Sequence, residues 1–332
     1  MSKLIVVTGA AGFIGRNIVA ELNSRGVTDI LLVDTLGTDE KWRNLVGLRY
    51  EEIASPAEFL RQIENNRTGD IDAILHMGAC SSTTERDADL LLENNYHYTR
   101  TLCEWSLRKN VRFIYASSAA TYGDGGLGYN DADEVTPLLR PLNMYGYSKH
   151  IFDLWALKHG HLKSIAGLKY FNVYGPHEDH KGDMRSVVNK SYGQILREGK
   201  VQLFKSYKQE YADGEQMRDF LYVKDAVAVT LHFLNHRSVN GLFNCGTGEA
   251  RTWKALATAV FTAMGREPKI EFIPMPESLR SQYQYFSEAS VTKLRAAGYT
   301  APFRDLEDGV RDYVQSYLSG QVQNYLSKQS GQ

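Results

Sequence analysis

Cysteine is scarce in this chain: Cys80, Cys103 and Cys245 are the only three among 332 residues. An odd number of widely separated cysteines excludes a disulfide framework and a cysteine-based zinc site as organising features, so reduced thiols and no structural metal are expected. No stretch approaches the roughly 20 apolar residues that a membrane span needs, and no membrane partner is expected. Met1-Ser2-Lys3 leads directly into the first apolar run, without a long apolar segment or a small-residue cleavage site, which predicts a cytoplasmic location. An excess of one charge is missing too. Lysine plus arginine number 38 against 39 acidic residues, a net charge of −1, and with no basic block nucleic acid is not an expected partner. Repeats and low-complexity segments are likewise absent. What remains is a chain with 43% hydrophobic residues, long enough for one large α/β domain and a smaller one.

The first apolar run, Leu4-Ile5-Val6-Val7, is β-branched and continuous, as a strand buried on both faces should be, and residues 14–25 then show helical spacing. Between them stands Thr8-Gly9-Ala10-Ala11-Gly12-Phe13-Ile14-Gly15. In such a strand-to-helix turn Gly9 permits the tight bend, Gly12 lets backbone approach a pyrophosphate, and Gly15 lets the helix pack closely on the strand. The free N–H groups of the helix start then face the phosphates. A second apolar run, Ile30-Leu31-Leu32-Val33, ends in Asp34 about twenty residues on, where an acid can bind the adenosine ribose. Further strand-like runs at 71–76, 112–116 and 165–171 alternate with helical segments at 85–109 and 148–160, the βαβ pattern of a doubly wound parallel sheet. After Tyr174-Gly175-Pro176 the alternation weakens. The expected division is a dinucleotide-binding domain over 1–173, to which the chain returns at about 219–245, and a mainly substrate-binding domain of mixed α/β structure over 174–218 and 246–332.

Tyr145 and Lys149 are four apart, on one face of a helix. A phenol ordinarily ionises near ~10, and a neighbouring ammonium is expected to lower it by roughly 1 to 3 units, so that Tyr145 can take a hydroxyl proton. Lys149 can also hold the ribose of a nicotinamide. Ser118, at the end of a strand, can donate to the same substrate oxygen. Oxidising an alcohol needs a base for its proton and a hydride acceptor facing its carbon, and this constellation provides for both.

These motifs, with Tyr-Ala-Ser-Ser-Ala-Ala-Thr-Tyr-Gly from Tyr115, Tyr-Phe-Asn-Val-Tyr-Gly-Pro from Tyr170 and Arg-Asp-Phe-Leu-Tyr-Val from Arg218, resemble the extended short-chain dehydrogenases/reductases that act on nucleotide sugars. The likeness runs over nearly the whole chain. Within that group, His-Met-Gly-Ala-Cys-Ser-Ser-Thr-Thr-Glu from His76 and Gly-Pro-His-Glu-Asp-His-Lys-Gly from Gly175 resemble the ADP-heptose 6-epimerases of lipopolysaccharide core synthesis. The resemblance implies a Rossmann-type fold, a homo-oligomer, often a pentamer in this family, and inversion at carbon 6 of an ADP-heptose by transient oxidation and re-reduction. It implies Tyr145 and Lys181 as the two acid–base groups, aided by Ser118 and Lys149. By the same route Phe13, Ile14, Asp34, Thr35, Lys41, Met77, Gly78, Ala79, Cys80, Ser81, Asn94 and Val173 join Gly9, Gly12, Gly15 and Lys149 as cofactor contacts. Asn172, Asp183, Lys190, Phe204, Arg218 and Tyr283 join Ser118 and Lys181 as substrate contacts, Arg218 through a planar fork suited to a diphosphate.

The chain departs from some members at three positions: Asp183 stands in place of Ser, Lys190 in place of His, and Pro56 in place of a lysine that helps to hold a 2′-phosphate. The segment 207–217 is also longer. Asp34 repels a 2′-phosphate and Lys41 attracts one, so residue chemistry leaves NAD and NADP both open, while the resemblance implies NADP. The competing readings are a UDP-hexose 4-epimerase, which needs only the tyrosine and not Lys181; a sugar 4,6-dehydratase, which wants an additional acid near Ser118 where Ala119-Ala120-Thr121 stands; and an NAD(P)-sensing regulator without turnover.

Overall fold

The computed structural model describes residues 4–280 and 283–320; the first three residues and the end of the expected substrate domain, 321–332, lie outside them. In chain order the first six strands are β1 (Leu4–Thr8), β2 (Ile30–Val33), β3 (Glu52–Ala54), β4 (Ile71–His76), β5 (Arg112–Ser118) and β6 (Ala166–Tyr170). The next six are β7 (Asn172–Tyr174), β8 (Val201–Phe204), β9 (Met217–Tyr222), β10 (Gly241–Cys245), β11 (Ala250–Thr252) and β12 (Ile270–Ile273). Two compact units contain them.

The larger unit comprises Met1–Phe171, Ala226–Cys245 and Ser290–Thr300. Its sheet has seven strands in the order β10-β6-β5-β4-β1-β2-β3, every pair parallel. The continuous apolar runs become strands with almost every side chain buried, because helices cover both faces. One face is filled by Val6, Ile74, Phe113, Tyr115, Phe152 and Trp155 in a single contiguous cluster. Strand order reverses between β1 and β4, so the crevice beyond their carboxyl ends is the topological switch point at which such sheets bind ligands. Helix α1 (Phe13–Ser24) follows β1, and α2 (Pro56–Glu64) follows β3 under a Ser55 cap.

The long helix expected at 85–109 begins three residues later, where the Asp87 carboxylate accepts from Leu90 N. It runs as α3 (Ala88–Leu91), a π-helical turn Leu92–His97, and α4 (Tyr98–Lys109). The helix expected from 148 instead starts as α5 (Met144–Lys158), because the Asn143 side chain accepts from Gly146 N at 2.8 Å and caps it. Tyr145 thus sits in its first turn.

The smaller unit comprises Asn172–Asp225, Gly246–Ala289 and Ala301–Gln332. It holds a mixed sheet β11-β9-β7, the parallel pair β8 and β12, and α6 (Val187–Glu198). The division differs from the expected one at three places: Asn172 and Val173, expected in the first domain, open the smaller unit on β7. Residues 219–225 go with the smaller unit because β9 pairs with β7 and β11. Ser290–Thr300 returns to the larger unit, where Lys293 Nζ donates to the Asp131 carbonyl at 3.0 Å and Asn244 Nδ2 to that of Ser290 at 3.1 Å.

Candidate active site

At the end of β1 the chain turns through Gly9, whose φ of +64° is one that side chains rarely adopt. A Cβ there would also lie 2.7 Å from Gly78 Cα, and one on Gly15 would lie 2.1 Å from the Gly9 carbonyl oxygen. Gly12 caps α1 without any side-chain hydrogen bond, so the first N–H groups of that helix carry no side-chain cap, and Gly12 N donates back to Gly9 O at 2.9 Å. A turn stripped of side chains in front of an uncapped helix start fits a dinucleotide pyrophosphate. Phe13 is buried and Ile14 half-buried in the first turn. Beyond β2, Asp34 accepts from Ala11 N at 2.8 Å, from Thr35 N at 2.7 Å and from Lys41 Nζ at 2.6 Å. Asp34 and Lys41 are therefore one ion pair rather than two separate determinants.

The loop after β4, Met77 to Cys80, is half-buried, with Ser81 exposed. Two buried side chains that the motif reading did not single out hold it. Gly78 N donates to Thr8 Oγ1 at 3.0 Å, and Thr8 Oγ1 lies 2.6 Å from His76 Nδ1; on the other side of the ring His76 Nε2 lies 2.8 Å from Thr99 Oγ1, which donates to Asn95 O. Burial, then the nearby Lys149, push His76 down to about 3, so the ring is neutral. Asn95 accepts from Cys80 N at 2.8 Å, donates to Cys80 O at 2.9 Å, and donates to Ser148 Oγ at 2.9 Å. Ser148 in turn donates to Tyr145 O at 2.7 Å. Asn94, the expected contact, is exposed on the π-helical turn. The only hint in the sequence is the Asn94-Asn95 doublet, which cannot say which of the two faces inward.

Ser118 closes β5, with Ala120 N donating to its Oγ at 3.1 Å, and its hydroxyl pulls the nearby Tyr145 phenol toward the phenolate. Lys149, one turn along α5 and buried, donates from Nζ to the Ala116 carbonyl at 2.8 Å. Tyr145, Ser118 and Lys149, three of the four groups expected to serve the chemistry, thus lie near one another in the larger unit. Their electrostatics differ from expectation. Burial pushes the Tyr145 phenol up, the Ser118 hydroxyl pulls it down, and Lys149 does not produce the expected lowering. Its ammonium is itself pushed down to about 8 by burial, against the opposing pull of Asp153 and Cys80.

In the smaller unit Asn172 and Val173 lie half-buried on β7, with Asn172 Nδ2 donating to Asp219 O at 3.3 Å. Lys181 is half-buried in the turn Asp179–Met184; burial pushes its ammonium down, Glu178 opposes this and Lys190 adds to it. That turn is closed by the buried Glu178, which accepts from Ser186 N at 2.6 Å and Ser186 Oγ at 2.5 Å. Asp183 and Lys190 are exposed, linked by Lys190 Nζ donating to the Asp183 carbonyl. Phe204 is half-buried at the end of β8. Arg218 is not the open fork expected for a diphosphate. It is buried, donates to the carbonyls of Met217 and Gln284, and its guanidinium carbon lies 5.4 Å from the Tyr283 ring centre. The neighbouring Asp219 accepts from Thr247, Gly248 and Ala289, which fixes this end of β9.

Comparison with known proteins agrees with this geometry. Residues 5–246 match the model of the NAD dependent epimerase/dehydratase family. A protein of Nitratidesulfovibrio vulgaris named ADP-L-glycero-D-manno-heptose-6-epimerase is 57% identical over 95% of this chain and 98% of its own. The crystal structure of the Helicobacter pylori protein of that name superposes with a TM-score of 0.79 at 28% identity, covering 94% of this chain and 95% of that one. The Thermus thermophilus UDP-glucose 4-epimerase in complex with NAD follows at a TM-score of 0.74, also 28% identical, over 94% and 97%. The chain therefore belongs to the NAD dependent epimerase/dehydratase family and, within it, to the group of its heptose-6-epimerase relatives.

Proposed function

We propose that this enzyme converts ADP-D-glycero-D-manno-heptose to ADP-L-glycero-D-manno-heptose, on the route to the lipopolysaccharide core, as a cytoplasmic homo-oligomer that retains NADP. The observation that carries the reading is Tyr145 in the first turn of α5, near the Ser118 hydroxyl that ends β5 and one helical turn from buried Lys149, in the same unit as a glycine turn that fits a dinucleotide. Tyr145 Oη takes the proton of the C6 hydroxyl while Ser118 Oγ donates to the same oxygen and shares its developing charge. When bound, the oxidised nicotinamide accepts and later returns the hydride and brings a positive charge that favours the Tyr145 phenolate. Lys149 holds the ribose side of the site and Lys181 serves as the second acid–base group, because a ketone reduced on its opposite face presents its oxygen in another orientation. Gly9, Gly12 and Gly15 admit the pyrophosphate, and the loop from Met77 to Cys80 flanks the cofactor.

For the cofactor, Lys41 neutralises Asp34 at 2.6 Å, which removes the repulsion a lone carboxylate would exert on a 2′-phosphate. Incubation of purified protein with ADP-D-glycero-D-manno-heptose, and separately with UDP-glucose, tests the reading: only the heptose should be inverted. Tyr145→Phe should abolish turnover while cofactor stays bound. Inversion of UDP-glucose instead, or normal turnover by the phenylalanine variant, would overturn it. Mass spectrometry of the nucleotide released on denaturation distinguishes NADP from NAD.

A further inference from the structure

Beneath Tyr145 and Lys149 lies a buried ionic cluster that takes no part in the proposed chemistry. Asp153, one turn further along α5, is fully buried, as is Lys169 on β6, and the two approach to 3.8 Å. Both carboxylate oxygens act as acceptors: Tyr115 OH donates to Oδ1 at 2.9 Å and Ser117 Oγ to Oδ2 at 2.7 Å. Two hydroxyl donors and the Lys169 ammonium favour the carboxylate, against burial, which pushes the Asp153 carboxyl up. Tyr115 and Ser117 are on β5, the strand whose next residue is Ser118 and whose Ala116 carbonyl receives Lys149.

We propose that Asp153 is a positioning residue: its carboxylate is the counter-ion that keeps Lys149 an ammonium against Ala116, and its bonds to Tyr115 and Ser117 fix α5 on β5 so that Tyr145 meets Ser118. This rests on the role given to Lys149 above. The groups around the cluster bear the inference out. Lys149 is faced by His76 at the end of β4, by Cys80 in the following loop, by Tyr145 on its own helix and by Asp153. His76 is neutral, and Asp153, one turn along α5, is the first of the groups that oppose the loss of the Lys149 proton on burial, ahead of Cys80. Asp153 is faced by Lys169 and Tyr115, and Lys169 in turn by Asp131 and Lys293. For stability alone such a cluster is a poor choice, since buried ion pairs are commonly matched or bettered by apolar side chains of similar volume. Asp153 stands 3.8 Å from Lys169 and one helical turn from Lys149, the lysine that the site needs charged.

The test is the alkaline limb of the kcat profile against pH for the holoenzyme, with three variants beside the parent. Asp153→Asn keeps shape and removes charge; the limb should fall by about one pH unit or more, as loss of an opposite charge on a near neighbour requires, with KM for the sugar nearly unchanged. Ser117→Ala loses a hydrogen bond but keeps the charge, and its limb should stay in place. If Asp153→Asn does not fold, because it strands the Lys169 ammonium, the double variant Asp153→Asn with Lys169→Met removes both members of the pair and should show the same downward move. A limb unmoved in either charge-removing variant, or moved equally by Ser117→Ala, would overturn the inference. Lys149→Met separates the two levels: if it turns over with the parent's limb, the role of Lys149 itself is wrong, whereas if it is inactive and Asp153→Asn is unshifted, only the counter-ion role fails.

Discussion

The buried His76 makes a quantitative prediction about acid. In the hydrogen-bond relay Gly78 N–H donates to Thr8 Oγ1, Thr8 O–H donates to Nδ1, Nε2–H donates to Thr99, and Thr99 donates to Asn95 O, a chain in which each hydroxyl has one role. A proton added at Nδ1 would set two donors against each other, in a site where burial and Lys149 already hold the ring down at about 3. The unfolded chain takes up that proton near ~6.5, so between these two values the unfolded state binds more protons than the folded one, and stability is lost as pH falls. From pH 7.5 to 5.0 this one group removes about 2 kcal/mol, and about 5 kcal/mol over the whole window. Urea unfolding at the two pH values, in the parent and in His76→Asn, isolates it from the carboxylates that also titrate. The parent should lose about 2 kcal/mol more than the variant over that interval. Parallel pH curves for the two proteins would show that His76 is protonated in the folded state and that the relay runs otherwise.

Gly15→Ala places a methyl 2.1 Å from the Gly9 carbonyl, within rigid backbone, and should cost about 1 to 3 kcal/mol in unfolding as well as most of the retained cofactor. Gly12→Ala meets the same oxygen only at 3.0 Å, so its unfolding midpoint should move far less while nucleotide content, read by absorbance after denaturation, falls several-fold. Asn95→Leu removes both bonds to Cys80 and the one to Ser148; kcat should drop by about tenfold, with the cofactor more weakly held, and a variant that matches the parent in both would show that the loop positions itself.

The parts of the site written as local pattern were legible in the sequence: the glycine turn, the acid ending β2, and the Tyr-x-x-x-Lys pair are fixed by a strand-to-helix junction or by helical spacing, so their geometry follows from residues close in the chain. The strands of the large sheet that are short or broken by polar residues were not. β3 has three residues, and β10 reads Gly-Leu-Phe-Asn-Cys, where the buried Asn244 looks like a turn until its bonds to Tyr122, Asp131 and Tyr129 are seen. His76, Asn95 and Asp153 escaped for a related reason. Their hydrogen bonds reach partners 15 to 68 residues away, for which spacing along one chain carries no signal, although Asp153 also lies one helical turn from Lys149. Asp34 and Lys41 were read as opposed influences on a phosphate because their direct ion pair depends on the turn between them.

The electrostatics of Tyr145 and Lys149 depart from the picture of a point charge beside a phenol. Treating the ammonium as a point charge beside the phenol leaves out the loss of solvent by both. Burial opposes the phenolate and the ammonium alike, so it drives each toward its neutral form, up for the tyrosine and down for the lysine. A neutral pair cannot start the oxidation. The charged pair becomes accessible only if something else stabilises each ion, and different groups favour the two: the Ser118 hydroxyl the phenolate, and Asp153 with the Ala116 carbonyl the ammonium. The polar residues packed beneath α5 are then part of how the pair is charged, and the motif alone, transplanted onto an apolar helix seat, would hold its proton on the tyrosine.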